Sequence, residues 1–421
     1  MPTISEKFIR TNGVEIYDRV KLSINEISYE GVILPKHSFS GDDIVVLKLD
    51  NGYNIGISII DAEIEILSKA KKGNMVLPKK QKRKDLPDVS VLGTGGTIAS
   101  FVDYKTGAVS PAITAEQLVN SVKALDKIAN IDAEPLYSLA SEDMAPKNWE
   151  GIAKNIKEIH DSKNHGIIVT HGTDTMSYSA SALAFQLPKI SNPVVLTGAQ
   201  RSPDRPSSDA HLNLVGSAKV AMTDLGEIAI AMHETTDDEN IAIWRGVRTR
   251  KAHSSRRDAF SSMNEGPLGM VQKDVKLFNE YRPTSEETRL EAGFNDNATL
   301  IWSHPGLQEN DWEKMTEGKE GVVIAGTGLG HIKSDLLGCI GKTAKDIPVT
   351  MTTQCLSGST NLNVYRNGRE LIAKGVIEGH DMLPETALVK TMWLLKNRNE
   401  NIRELIGENL VGEIANSRKL T

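Results

Sequence analysis

The chain has 421 residues, 39% hydrophobic and 25% charged, with a net charge of −6 and two cysteines, Cys339 and Cys355. That length exceeds what one hydrophobic core serves, so two or three domains of a globular protein are expected. Two cysteines exclude a disulfide framework and a cysteine-built zinc site, no apolar run approaches the ~18 residues of a membrane span, and the acidic balance argues against a surface built throughout for nucleic acid.

The first block, 1–84, reads as short strands at 18–24, 29–34, 43–49 and 54–59. Asp50-Asn51-Gly52 between two β-rich runs is a hairpin signal, and the block is expected to form a small β-barrel. Its opening residues lack the basic-then-apolar order of a secretory signal, so a cytoplasmic location is expected. The block ends in a basic stretch holding Lys69, Lys71, Lys72, Lys79, Lys80, Lys82, Arg83 and Lys84. One reading is a solvated linker; the other is a strip that contacts phosphates.

The second block, 85–277, alternates β-rich runs with helical periodicity. Strands are expected at 89–93, 166–170, 193–197 and 227–232, with helical patterns at 114–122 and 149–156 between them. Thr114, followed by Glu116 and Gln117, is a helix start. This β-α-β order predicts an α/β domain with a mainly parallel, buried sheet. A charged, polar linker is expected at 278–297. The third block, 298–421, repeats the pattern with strands at 298–302, 321–325 and 347–351.

Parallel sheets bind ligands at the carboxyl ends of their strands. Three such ends here are polar and glycine-rich: Gly93-Thr94-Gly95-Gly96-Thr97, Thr170-His171-Gly172-Thr173-Asp174-Thr175, and Thr197-Gly198-Ala199-Gln200-Arg201. Glycine permits close backbone approach, and hydroxyls supply nucleophiles. The first motif fits neither a dinucleotide fingerprint nor a phosphate-binding loop with its lysine. Taken singly, His171 reads better as a structural histidine than as a base, and Asp174 is also a candidate helix cap. A threonine hydroxyl needs a base to become a nucleophile. Lys251, oriented by an aspartate, is a candidate, although Arg245, Arg248, Arg250, Arg256 and Arg257 around it also suit an exposed basic loop. Those same cations would disfavour the charged form of a lysine held among them.

Together, Gly95-Gly96-Thr97-Ile98-Ala99, Thr170 to Met176, and Lys251 to Phe260 resemble the signature segments of bacterial-type L-asparaginases, a likeness that covers residues 86–421. The resemblance implies two asparaginase-like α/β domains. By position it assigns Thr97 to attack on the side-chain carbonyl, and Thr173, Asp174 and Lys251 to a second triad with the lysine as base. Which threonine attacks first is left open. Ser141 matches the residue holding the substrate's α-carboxylate, and Glu142, where the family typically has glutamine, suits the α-ammonium. Tyr104 is the match for a mobile-loop tyrosine, with Ala108 competing for the position. Around Asn363 and Tyr365 there is no carboxylate to match the one that secreted asparaginases supply from a neighbouring protomer.

The first block, with Asp50 to Ile57, is similar to the amino-terminal domain of the D-type subunit of archaeal glutamyl-tRNA(Gln) amidotransferases. The segments Thr353 to Gly358 and Met382 to Lys390 also resemble that subunit. The likeness implies a glutaminase without a cofactor of its own. It would release ammonia to the amidotransferase's E-type subunit, the partner that binds tRNA(Gln) and uses ATP and Mg2+. A homodimer through the third block and a heterotetramer with the E-type subunit are implied; the 326–331 loop is a candidate contact in that homodimer and equally reads as an ordinary turn after a strand. A free-standing L-asparaginase with an accessory β-domain is the alternative; a non-catalytic scaffold docking RNA or protein is the reading from another class.

Overall fold

The computed structural model describes residues 3–25, 27–36, 40–49, 54–69, 82–102, 109–111, 114–163, 165–205 and 207–415. Near its amino terminus a helix, Ile4–Thr11, is opened by a capping box in which Thr3 and Glu6 each bond the other's backbone N–H. Five antiparallel strands follow: Arg19–Ile24, Ile27–Leu34, Ile44–Leu49, Asn54–Ser58 and Ala62–Ser68. The Arg19–Ile24 strand lies between Ile27–Leu34 and Ala62–Ser68, while Ile44–Leu49 joins Asn54–Ser58 to the other side. Alternation buries Val20, Leu22, Ile33, Val45, Leu47 and Ile57 in one small core. The 50–52 turn lies outside the described residues, but the strands flanking it pair antiparallel, as its composition predicts.

Several of the basic-stretch cations are spent locally. Lys69 pairs with Asp18 at 3.0 Å, Lys82 with Asp88 at 3.0 Å, and Arg83 with Asp85 at 2.6 Å. Lys71, Lys72, Lys79 and Lys80 fall outside the described residues.

The second block builds an eight-stranded sheet. From one edge its order is Val275–Leu277, Gly269–Val271, Ile241–Arg245, Ile228–His233, Val194–Thr197, Gly166–Thr170, Asp88–Gly95 and Asn130–Leu139. The last five strands are mutually parallel, and the first three extend the sheet in antiparallel fashion. Apolar clusters cover both faces. Ile167 and Val169 point to one, with the helices Pro146–Ser162 and Met176–Gln186; Ile168 points to the other, with Ala210–Val220. Burial on both faces is why these strands read as continuous apolar runs.

The third block is a four-stranded parallel sheet of Ala298–Trp302, Gly321–Gly326, Val349–Thr353 and Ile377–Glu378. Its helix Pro384–Asn397 is buried along most of its length, and Val389, Trp393 and Leu394 belong to a core cluster of the first α/β domain. One helix thus seals the two α/β units together. The 278–297 stretch is more than a tether. It forms isolated bridges with Leu225 and Lys189, and buried Thr288 contacts His160 Nδ1 at 2.6 Å and accepts from Ser191 N at 2.9 Å. Its polar residues satisfy buried groups of the domain they cross, which explains both its composition and its lack of helical or strand periodicity.

Candidate active site

Three strand ends meet because glycines let their backbones touch. Gly95 and Gly96 have φ of +108° and +78°, which L side chains rarely adopt, and they end the Asp88–Gly95 strand in a sharp turn. A Cβ on Gly96 would sit 2.5 Å from Gly172 Cα, and one on Gly172 would sit 2.6 Å from Ser141 Cβ. Thr94 Oγ1 donates to the Thr170 carbonyl at 2.8 Å, locking the first two ends in register. Thr97 opens a short 3-10 turn, Thr97–Ala99, and its side chain is partly accessible beside the Gly172 segment.

The second threonine is held by a lysine. Lys251 ends the short strand Thr249–Lys251, which pairs with Phe260–Ser262. Its Nζ donates to Thr173 Oγ1 at 2.8 Å and to Asp174 Oδ1 at 2.7 Å. The Lys251 side chain is only 11% exposed, so it is not an ornament of a basic loop, and Asp174 holds this contact while itself 66% exposed. Asp174 does not cap the helix that follows: Thr175 is the N-cap residue of Met176–Gln186, and no side-chain cap bond is made. Thr175 Oγ1 instead donates to the Ser141 carbonyl at 2.6 Å. Ser141 Oγ lies 3.4 Å from Asp174 Oδ2 and 3.5 Å from Glu142 Oε2, on a short turn, Ser141–Asp143, where Glu142 is exposed. Tyr104 lies outside the described residues.

The cationic surroundings are neutralised pair by pair. Arg250 grips Glu385 with two bonds of 2.6 Å, which holds its guanidinium above its ordinary pKa. Arg248 pairs with Asp381, Arg256 with Asp258, Arg257 with Asp238, and Arg245 with Glu227. These carboxylates offset the crowding that the arginine-rich sequence suggests around Lys251. They also reveal a support that sequence reasoning missed: the Lys251 strand is clamped, through its neighbour Arg250, to the helix Pro384–Asn397. The available signal was Glu385, inside the family-like segment at 382–390.

His171 is structural. It is fully buried, and burial drives its pKa down to about 4, leaving a neutral ring. Its Nδ1 donates to the Gly172 carbonyl at 2.7 Å; its Nε2 takes the Ser179 hydroxyl at 2.8 Å, and that oxygen accepts from Trp149 Nε1. This relay fixes the turn that presents Thr173. A further buried group, absent from sequence reasoning, roots the third strand end. Asp209 accepts from the backbone N–H groups of Gln200 and Arg201 and from Asn213 Nδ2, and Asn213 also donates to the Gly198 carbonyl.

Family models match three parts of the chain: GatD N-terminal domain over residues 14–67, Asparaginase, N-terminal over 88–283, and Glutaminase/Asparaginase C-terminal domain over 298–406. Among similar proteins, the glutamyl-tRNA(Gln) amidotransferase D-type subunit of Pyrococcus furiosus is 44% identical, over 97% of this chain and 97% of that one. The corresponding subunit of Sulfurisphaera tokodaii is 43% identical, over 97% of this chain and 93% of its own. Among solved structures, the thermostable L-asparaginase from Thermococcus kodakarensis superposes with a TM-score of 0.72 at 32% identity, over 78% of this chain and 100% of that one. L-asparaginase I from Vibrio cholerae gives 0.70 at 27% identity, over 78% and 99%.

Proposed function

This chain belongs to the family of glutamyl-tRNA(Gln) amidotransferase D-type subunits, and from that membership we propose that it hydrolyses the side-chain amide of glutamine and supplies the ammonia to a partner protein. The observation that carries the reading is the contact of Lys251 Nζ with both Thr173 Oγ1 and Asp174 Oδ1. In the proposed reaction Thr97 Oγ1 attacks the glutamine Cδ and forms a C–O bond. The tetrahedral intermediate collapses, the C–N bond breaks, and ammonia leaves carrying the added proton. Water then cleaves the ester to glutamate and returns the hydroxyl to Thr97. Thr173, Lys251 and Asp174 move the protons, a role that suits a lysine placed against a hydroxyl. Backbone N–H groups of the 172–173 turn face the developing oxyanion. Ser141 and Glu142 take the α-carboxylate and α-ammonium, and Tyr104 is a further proposed substrate-binding residue.

The partner in this proposal is the amidotransferase's E-type subunit, which would hold ATP and Mg2+, bind tRNA(Gln), and convert the attached glutamate to glutamine; the glutaminase chain itself needs no cofactor. Two copies are proposed to pair through the carboxy-terminal domain near the 326–331 loop, where Val364 and Tyr365 are exposed. Cytoplasmic work on tRNA fits a chain whose described residues include no helix long and apolar enough to cross a membrane.

The test uses the assembled complex. Thr97→Ala and Lys251→Ala are each expected to lower glutamine-dependent amidation by a factor of at least ~10³ while amidation with free ammonium persists. Loss of the ammonium-driven reaction in a folded variant would move the defect to assembly. The asparaginase alternative is favoured by the structural likeness over 78% of the chain. It predicts rapid asparagine hydrolysis that ignores the partner and tRNA. The match at residues 14–67, outside the asparaginase-like part, favours the amidotransferase.

A further inference from the structure

The amino-terminal β-domain touches the hydrolytic domain at a telling place. Lys48, on the strand Ile44–Leu49, donates from Nζ to the Asp204 carbonyl at 2.5 Å. Asp204 lies in the loop that leaves the third polar strand end, Val194–Thr197, and runs to the helix Ala210–Val220. The inner end of this loop is anchored: buried Asp209 holds Gln200 N and Arg201 N, and Asn213 holds the Gly198 carbonyl at 3.0 Å. Asn213 is braced in turn by His233, whose Nδ1 donates to Asn213 Oδ1 at 2.6 Å.

Gly198 is the point where this loop meets the site. A Cβ there would lie 2.6 Å from the His171 carbonyl and 3.0 Å from Thr173 Cγ2. The loop backbone is therefore packed against the threonine that Lys251 engages, and a shift of the loop must be felt there, because close-packed interiors transmit strain. Its outer part is less completely satisfied. Ser202 is 1% exposed, yet its Oγ, together with Gln200 Nε2, has no hydrogen-bond partner among the described residues. Asn54, opposite Lys48 in the strand register, likewise keeps a buried Oδ1 without one. Partial burial holds the Lys48 ammonium below its ordinary pKa, offset in part by Asp204.

We propose that Lys48 is a positioning residue for amide hydrolysis, through which the β-domain sets the 198–209 loop against Thr173. The proposal rests on Thr173 belonging to the hydrolytic site. It makes the β-domain a control element for a site that it does not touch. Lys48 touches no reacting atom, so its effect belongs in kcat rather than in substrate capture.

The test measures ammonia release from glutamine by the full-length chain assembled with its amidotransferase partner. Lys48→Met keeps the aliphatic stem and removes the donors; kcat is expected to fall about tenfold, with KM and Tm little changed, since small misplacements near a reacting group carry costs of that order or more. Lys48→Arg restores a charged donor and is expected to recover most of the rate. A Lys48→Met enzyme within about twofold of the parent kcat, or an equal loss in Lys48→Arg, overturns the assignment. Lys48→Leu, which also lacks a donor, replaces the methionine variant if that one does not fold, with the same outcomes. Thr173→Ala run alongside separates the two layers: full activity in that variant would refute the site itself, whatever Lys48 does.

Discussion

His171 shows how a residue from a signature motif acts without touching chemistry. Folded, it titrates at about 4 because burial disfavours the imidazolium; unfolded, it titrates near 6.5. Between those values the unfolded chain binds the extra proton. The associated stability is complete above about pH 6.5 and is lost as the pH falls toward 4, to a limit of about 3 kcal/mol. His160, buried and also driven to about 4, adds to the same slope. Replacing His171 with Gln is expected to destabilise the protein near neutral pH, and urea unfolding should show the gap to the parent narrowing by about 2 kcal/mol between about pH 7 and about pH 5. A gap that stays constant would mean that His171 titrates alike in the folded and the unfolded chain. The preference for a structural histidine was readable from its place beside a strand end. The burial of Lys251 was not, because Asp174 lies 77 residues away in sequence and the arginines beside the lysine carry no mark of their distant carboxylates.

At the scale of elements, the parallel core was the most legible part. Gly166–Thr170 is apolar throughout and buried throughout, so its boundaries follow from composition. The helix start at Thr114 is also present, with Gln117 completing its capping box. The edge strand Asn130–Leu139 escaped reading because it is half-exposed and holds Pro135 among charged residues. The helix Ile4–Thr11 and the strand Ala62–Ser68 were missed although both carried signals: a threonine with glutamate three residues later, and strict alternation in Ala62-Glu63-Ile64-Glu65-Ile66. Neither the Lys251 contacts with Thr173 and Asp174 nor the clamp on its strand follows from such local patterns. The Arg250–Glu385 pair is the clearest case, since it joins a three-residue strand to a helix of the other domain. Arg250→Leu leaves a nearly buried carboxylate alone, and a loss of about 3 kcal/mol is expected. Calorimetry would register it as a lower Tm, and ammonia release should slow even where the variant is fully folded. Unchanged kcat at unchanged fold would free Lys251 from any dependence on this pair.

Across the whole molecule, burial of charge decides how the last described residues are held. Lys390 and Glu413 are both fully buried and pair at 2.7 Å, and Glu413 also accepts from Leu410 N and Val411 N. Desolvation pulls the Lys390 pKa down, with Glu413 opposing it. The pair fastens the 410–413 segment to the helix Pro384–Asn397, which already bridges both α/β cores. Glu413→Gln strands a buried ammonium and is expected to cost about 3–5 kcal/mol. Adding Lys390→Met to that variant should recover part of the loss, a coupling that chemical denaturation of the four proteins in a double-mutant cycle reads directly. Additive losses would show that the two groups do not act as a pair.

The clamp at Glu385 has a consequence for the order in which the protein comes into being. Translation delivers Thr97, Thr173, Asp174 and Lys251 well before the glutamate that secures the lysine's strand. Early domains begin to fold while later residues are still being made. A nascent chain can therefore hold every proposed reactive side chain and still lack its hydrolytic geometry until the last bridging helix emerges. Stalled chains ending before and after that helix should differ sharply in ammonia release.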